Sequence, residues 1–273
     1  MPRILPLLLA LVALVSGSAT ALADTKTDQR LEESRHVFES FSNLSEQSIP
    51  GWLLERAYGV VVIPGVARGA LIIGVRGGRG VMAVRNPDGS WTNPVFVTLA
   101  GANIGFQAGV QSTDLVLVLM SRRSVEGIAG GKVTLGADAS IAAGPIGRSA
   151  SAATDATLKA QVLAYARNEG LFAGVALDGS VISVDDRANA TAYGQSGILA
   201  SQILEGRAGT PPAGAVAFRD SLTRATGGTP APPATSAVAP AHTPAAPDKE
   251  APPAGEAQTF PLEDPEPGAP PPQ

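Results

Sequence analysis

The sequence predicts an α+β fold: an antiparallel β-rich domain, barrel-like or sandwich, with short flanking helices and an N-terminal amphipathic helix. Three observations carry this. Between Gly59 and Met120 the apolar residues come in short runs of largely two-residue period, the pattern of half-buried strands. Glycine-rich and Asn-Pro-Asp-Gly punctuation joins those runs at close spacing, which favours hairpins over helical crossovers. Apolar spacing of three and four residues is confined to the margins.

Taken in order, residues 27–48 (TDQRLEESRHVFESFSNLSEQS) place Leu31, Val37, Phe38, Phe41 and Leu44 on one helical face and charges on the other. A short helix is expected over 51–57 (GWLLERA), with Ser48 near its start and Pro50 at an early position. Strands are expected at 59–63, 69–76, 80–85, 94–99, 103–110 and 114–120, with Asn86-Pro87-Asp88-Gly89 as a turn. Further short helices are expected over 121–129 and 195–205. Residues 158–167 (LKAQVLAYAR) suit a helix by propensity alone. The short link Asn168-Glu169-Gly170 to 171–177 (LFAGVAL) makes a hairpin the competing reading.

The ends of the chain read differently from its middle. Residues 1–23 hold Arg3, an uncharged apolar run and Ala21-Leu22-Ala23 before Asp24. This is the pattern of a cleaved signal peptide, and the run from Ile4 to Val15 falls short of the roughly 20 residues of a spanning helix. The expected location is therefore exported: periplasmic or extracellular, with peripheral membrane association. The chain has no cysteine, which excludes disulfides, thiol chemistry and a lipidated cysteine. From Pro211 to Gln273 there are 16 of the chain's 23 prolines, and six acids against Lys249 from Asp248 onward. Such a composition buries little, so residues 211–273 are expected to be a disordered acidic tail. Residues 24–210 are expected to fold without it.

Nucleotide motifs fail on context. Gly78-Arg79-Gly80-Val81-Met82-Ala83 fits G-x-G-x-x-A, but a strand-like run follows where the dinucleotide mechanism needs a helix N-terminus. A hairpin glycine cluster explains it better. Gly130-Gly131-Lys132 resembles the end of a P-loop, yet Val133 replaces the metal-ligating hydroxyl and Glu126 the first glycine. Two histidines, His36 and His242, supply no triad or metal cluster. Asp185-Asp186 could act as a carboxylate pair, but adjacent acids after a strand more often cap a helix or line a turn. Asp155, Asp185 and Asp186 are the residues on which a hydrolase would have to be built.

Charge is more informative. Between Gly59 and Lys132 the cations Arg68, Arg76, Arg79, Arg85, Arg122, Arg123 and Lys132 face only Asp88, Asp114 and Glu126. Arginines at strand ends and turns suit phosphate-bearing anions, with solvated cations as the plain alternative. Nucleic acid is a poorer fit and is not expected as a partner, because the chain carries a net −4, reads as exported and shows no aromatic–basic stacking pattern in its sequence.

The blocks IPGWLLERAYGVVVIPGV (49–66), GSWTNPVFVTLAGANIGFQAGVQSTDLVLVLMS (89–121), GKVTLGADASIAAGPIGR (131–148) and LAYARNEGLFAGVALDGSVISVDDRANATAYG (163–194) resemble, in unbroken order, the SYLF family of lipid-binding domains. The resemblance covers residues 46–194 and is to the bacterial exported members. Eukaryotic relatives join this domain to SH3 or FYVE modules and work at membranes with phosphoinositides and actin. The resemblance implies membrane-lipid binding without catalysis or cofactor. Membrane lipids, chiefly anionic phospholipid, are the expected partners. Arg68, Arg76, Arg79, Arg122, Arg123 and Lys132 are the expected headgroup contacts; Phe38 and Phe41 are the candidate apolar ones, with packing on the β-core, the commoner fate of an amphipathic face, as the competing reading. In eukaryotic members an N-terminal amphipathic helix contributes to phosphoinositide binding. The segment in that place here is acidic, with Asp28, Glu32, Glu33, Glu39 and Glu46. The resemblance also marks the glycine–alanine stretch around Gly136 and Gly144 as close-packed backbone or tight turns. An envelope interaction protein that reaches a protein partner through its tail is the alternative.

Overall fold

The computed structural model describes residues 25–43, 48–70, 73–104, 109–146, 159–168, 171–172 and 177–228, with the backbone alone for 68–70, 73–74, 103–104, 109–111, 168 and 171–172. All fall in the first of the chain's two compact units, Met1–Ala231 and Pro232–Gln273. The expected signal peptide at 1–23 and the residues after 228 lie outside the described residues.

The fold is α+β, as expected: one mostly antiparallel sheet curled into a half-barrel, with short helices and an N-terminal helix. Helix α1 (residues 25–42) and α2 (Gly51–Arg56) precede β1 (Gly59–Ala70), β2 (Ile73–Val84), β3 (Val95–Ile104) and β4 (Gly109–Leu119). Then come α3 (Arg122–Ala129), β5 (Lys132–Thr134), β6 (Ile141–Ala143), β7 (Val162–Asn168), β8 (Leu171–Phe172), β9 (Val181–Val184), α4 (Asp186–Ala192), α5 (Ala200–Leu204) and α6 (Ala213–Ala225). The sheet runs β5-β9-β3-β2-β1-β4-β7-β6, with β8 paired to β7. Residues 158–167 thus follow the hairpin reading. The runs Val60–Ile63, Leu115–Leu119 and Val162–Ala166 are buried at every position, as in strands covered on both faces.

Six short strands were expected between 59 and 120, and four long ones form. The glycine-rich stretch of 74–80 is not a loop but the first half of β2, running inward from the end of the β1–β2 hairpin. Its glycines answer a bend in β1. The β1–β2 register shifts between Val62 and Ala67, and the β1–β4 register between Ile63 and Val66. Pro64 and Gly65 (φ 54°) sit in that bulge. The bent strand presses on β2. A Cβ on Gly80 would stand 1.9 Å from the Val62 carbonyl oxygen, and one on Gly78 2.6 Å from the Ile63 side chain. Farther on, a Cβ on Gly144 would meet the Tyr165 ring at 2.1 Å, and Gly136 turns the chain at φ 84°, so the glycine–alanine stretch is close-packed backbone and tight turn.

Helix α1 crosses the central strands. Near its start Arg30 pairs with Asp185 at 2.9 Å and lies 5.3 Å above the Phe96 ring of β3. Ten residues on, Ser40 meets Arg167 of β7, whose guanidinium lies 4.9 Å above Phe41. Leu31, Phe38 and Phe41 are fully buried between. Helix α6 closes the same layer with Ala215, Phe218 and Leu222, all fully buried, and Phe38 meets Phe218 edge-on at 6.4 Å. This corrects the expected boundary at 210, since residues 213–225 belong to the folded domain rather than to a disordered tail.

Helix α4 is held by Asp185, whose carboxylate accepts from the Ala188 N–H at its first turn (3.1 Å). Inside it, the fully buried Asn189 accepts from the Phe96 N–H at 2.8 Å and donates back to the Phe96 carbonyl. Asn189→Ala removes both. The Phe96 carbonyl keeps the Asp185 N–H, but its own N–H loses the side-chain acceptor, so urea titration should show a loss of about 1–3 kcal/mol. An unchanged midpoint would mean that another acceptor replaces the amide.

Candidate functional site

The structure separates the residues expected to act together. Arg68 and Arg76 face each other across β1 and β2 near the hairpin end. Nine residues of strand, about 30 Å, divide Arg68 from Gly59, where α3 and its Arg122 and Arg123 meet the sheet. Arg79 is exposed in mid-β2, opposite Thr98. Arg122 and Arg123 are exposed in the first turn of α3, and Lys132 is exposed at the start of β5. Asp138 joins the last two. Its carboxyl is held below the usual range chiefly by the Thr134 N–H donating to it at 2.8 Å, and the positive fields of Arg123 and Lys132 add to this.

Three of the candidate contact residues are buried, and for Phe38 and Phe41 this is the core reading. Phe38 and Phe41 are fully buried, because the apolar face of α1 is occupied by α6 and the sheet. Arg76 is 8% exposed, its stem packed where a Cβ on Gly101 would fall, so it presents no charge to a surface. The side chain of Arg68 lies outside the described residues.

Four residues that sequence reasoning missed gather at the α2–α3 end. Helix α2 buries Leu53 and Leu54 and turns Trp52 and Arg56 outward, four residues apart on one face. Tyr58 follows, 43% exposed, with the Arg122 guanidinium 5.9 Å above its ring. Arg56, Tyr58 and Lys159 line a shallow hollow of about 470 Å³ with Met120, Ser121, Ala160 and Gln161, and no carboxylate lines it. Glu55 and Glu126 are the acids on the neighbouring helices. The signal available in the sequence was the pair Trp52 and Tyr58 in a chain with 4% aromatics.

Catalytic geometry is not assembled among the described residues. Asp185 serves as helix cap and ion-pair partner of Arg30, and Asp186 is exposed beside it; Asp155 lies outside the described residues. No group of three or more His, Asp or Glu could hold a metal among the described residues. The larger cleft, about 720 Å³ between the β2–β3 turn and α6, carries two guanidinium groups already engaged. Arg85 donates to the Glu55 and Gly89 carbonyls, and Arg219 to the Asn93 amide oxygen.

The model of the family described as Ysc84, Las17-binding protein actin regulator, matches residues 100–225, ending at the last residue of α6. The chain carries a SYLF (Ysc84) domain. It is 41% identical over 172 residues to Protein YSC84 of Saccharomyces cerevisiae, covering 62% of this chain and 36% of that protein. It is 40% identical over 184 residues to LAS seventeen-binding protein 3 of the same yeast, 66% of this chain and 40% of that one. It is also 33% identical over 190 residues to the SH3 domain-containing YSC84-like protein 1 of Xenopus laevis, 67% and 56% respectively. The match therefore spans roughly a third to just over half of these relatives' lengths. The family match runs to residue 225, past the 194 expected for the family core, and takes in α5 and α6.

Proposed function

We propose that this SYLF-domain chain is a non-catalytic, peripheral membrane-binding protein of the bacterial cell envelope, exported by its first 23 residues, that contacts anionic or phosphorylated lipid headgroups. One contrast carries the reading. Around α1 several cations are paired with carboxylates, Arg30 with Asp185, Arg35 with Glu32 and Glu39, Arg167 with Asp114 and Arg224 with Glu39, while Lys26 and Arg187 make no ion pair among the described residues. Arg79, Arg122, Arg123 and Lys132 are exposed and make no ion pair with a carboxylate among the described residues. Exposed cations outside ion pairs favour an anionic surface at about 1 kcal/mol each, screened within a Debye length, and Asp138 offsets part of this at Arg123 and Lys132.

Replacing Arg79, Arg122, Arg123 and Lys132 together by glutamine should weaken binding to vesicles containing phosphatidylglycerol by more than tenfold and flatten its salt dependence. The melting temperature should stay put, because all four are exposed. Unchanged binding would move the site elsewhere. A protein partner is the second reading, favoured by the family's description as Las17-binding. On that reading the wild-type chain would bind an acidic protein and ignore vesicles.

A further inference from the structure

We infer that Trp52 and Tyr58 are the interfacial anchor of the domain, seated in the headgroup layer of an anionic bilayer with Arg56, Arg122 and Lys159 against the lipid phosphates. This rests on the membrane reading above and adds to it the residues that enter the bilayer and the end of the sheet that points at it. Among the residues whose side chains are described, the other large aromatics are inside: Phe38, Phe41, Phe96, Phe218, Trp91, Tyr165 and Tyr193 are all under 9% exposed, against 39% for Trp52 and 43% for Tyr58. Rings with an apolar body and a polar N–H or O–H settle at the membrane–water interface.

The two rings are presented rather than left over. Tyr58 is pinned by its backbone, its N–H donating to the Leu119 carbonyl at 2.8 Å and its carbonyl accepting from the Arg85 N–H at 2.9 Å. The strands on either side thus fix the direction of the ring. Trp52 rides a helix whose opposite face, Leu53 and Leu54, is locked in the core. Around them cations predominate: Arg56 lies four residues from Trp52, Lys159 shares a carboxylate-free hollow with Arg56 and Tyr58, and Arg122 stacks on the Tyr58 ring, with Glu55 and Glu126 on the flanking helices. Long cationic stems of this kind reach phosphates while apolar neighbours such as Met120 and Ala160 sit lower. Gly59 opens β1, Leu119 closes β4 and Val162 opens β7, and the three are paired in register. The strands therefore point end-on at the surface. A bilayer suits this end by charge complementarity together with an exposed aromatic pair, the two requirements for adsorption.

The chain has two tryptophans, which allows a direct reading. Trp91 is 3% exposed, with its Nε1–H donating to Thr226, so a change in emission on adding vesicles reports Trp52. With phosphatidylcholine–phosphatidylglycerol vesicles the full chain should show a blue shift, weaker quenching by acrylamide and new quenching by brominated acyl chains. Pure phosphatidylcholine should produce little change. Trp52→Ser with Tyr58→Ser should lower vesicle affinity about tenfold or more at an unchanged melting temperature. Arg56→Glu with Lys159→Glu should do the same without touching an aromatic. Co-sedimentation with vesicles while Trp52 emission stays fixed would overturn the anchor and leave the membrane reading standing. No co-sedimentation at all would overturn both. If the serine variant unfolds, the emission of the unmodified chain and the charge-reversed variant decide.

Discussion

Ending the chain after residue 210 should cost several kcal/mol of stability and lower the melting temperature by about 10 °C or more, although the removed segment begins with Pro211-Pro212 and is rich in alanine. The cut deletes α6, and with it the fully buried Phe218 and Leu222. Emptying a buried Phe site costs about 3–5 kcal/mol and a Leu site about 2–5 kcal/mol. Against a total stability of about 5–15 kcal/mol, the truncated domain is left marginal. The loss spreads, because α6 is the cover of α1. Phe38 loses its edge-on partner at 6.4 Å, and Leu31 loses the helix that approaches so closely at Gly214 that a Cβ there would stand 3.0 Å from it. Trp91 and Asn93 lose their contacts to Thr226 and Arg219. Phe218→Ala in the full chain should reproduce roughly half of the loss. Equal melting temperatures for the full and 210-ended chains would show that α6 contributes nothing to the core.

That helix shows where composition misleads. Ala215, Phe218 and Leu222 stand at helical spacing, and Pro212 precedes the first turn. Two large apolar residues in 13 carry little periodic signal against the prolines around them. What makes α6 a core element is the aromatic face of α1 beneath it, which is a tertiary fact. The N-terminal helix was legible for the opposite reason, since five apolar residues on one face against a charged back leave little choice of element. Its destination was not legible, because a face that suits a core also suits a membrane, and the sheet decides by supplying Arg167 and Phe96 to meet it. The cationic site was legible as an excess of arginine and no further. Register puts Arg68 and Arg76 at one end of β1 and Arg122 at the other, and no local pattern encodes that separation. Tyr58 and Lys159 are 101 positions apart in the chain and share one hollow, a juxtaposition made by β1, β4 and β7 lying side by side.

Gly80→Ala should be among the most damaging single-methyl additions in this domain, costing about 3 kcal/mol or more in chemical denaturation, at or beyond the usual upper range for overpacking. The obstacle is backbone. The new Cβ would lie 1.9 Å from the Val62 carbonyl oxygen and 2.8 Å from the Val62 carbonyl carbon and the Ile63 Cα. A rotamer change relieves none of these contacts, so β1 and β2 must move apart where Val62 pairs with Val81. That strand pair lies at the centre of the sheet, with β4 and β3 on its flanks. A displacement there opens the buried layer of Val60 to Ile63 on both faces. Gly77→Ala, three residues earlier on the same strand, provides the control. It points outward, and its Cβ would meet only the Leu99 carbonyl oxygen, at 3.9 Å. The methyl there restricts the unfolded chain without a clash, so stability should be unchanged or raised by up to about 1 kcal/mol. The difference between the two variants isolates close strand approach from the general cost of replacing glycine. If Gly77→Ala and Gly80→Ala shift the denaturation midpoint equally, the bend of β1 at Pro64-Gly65 is not what demands glycine in β2.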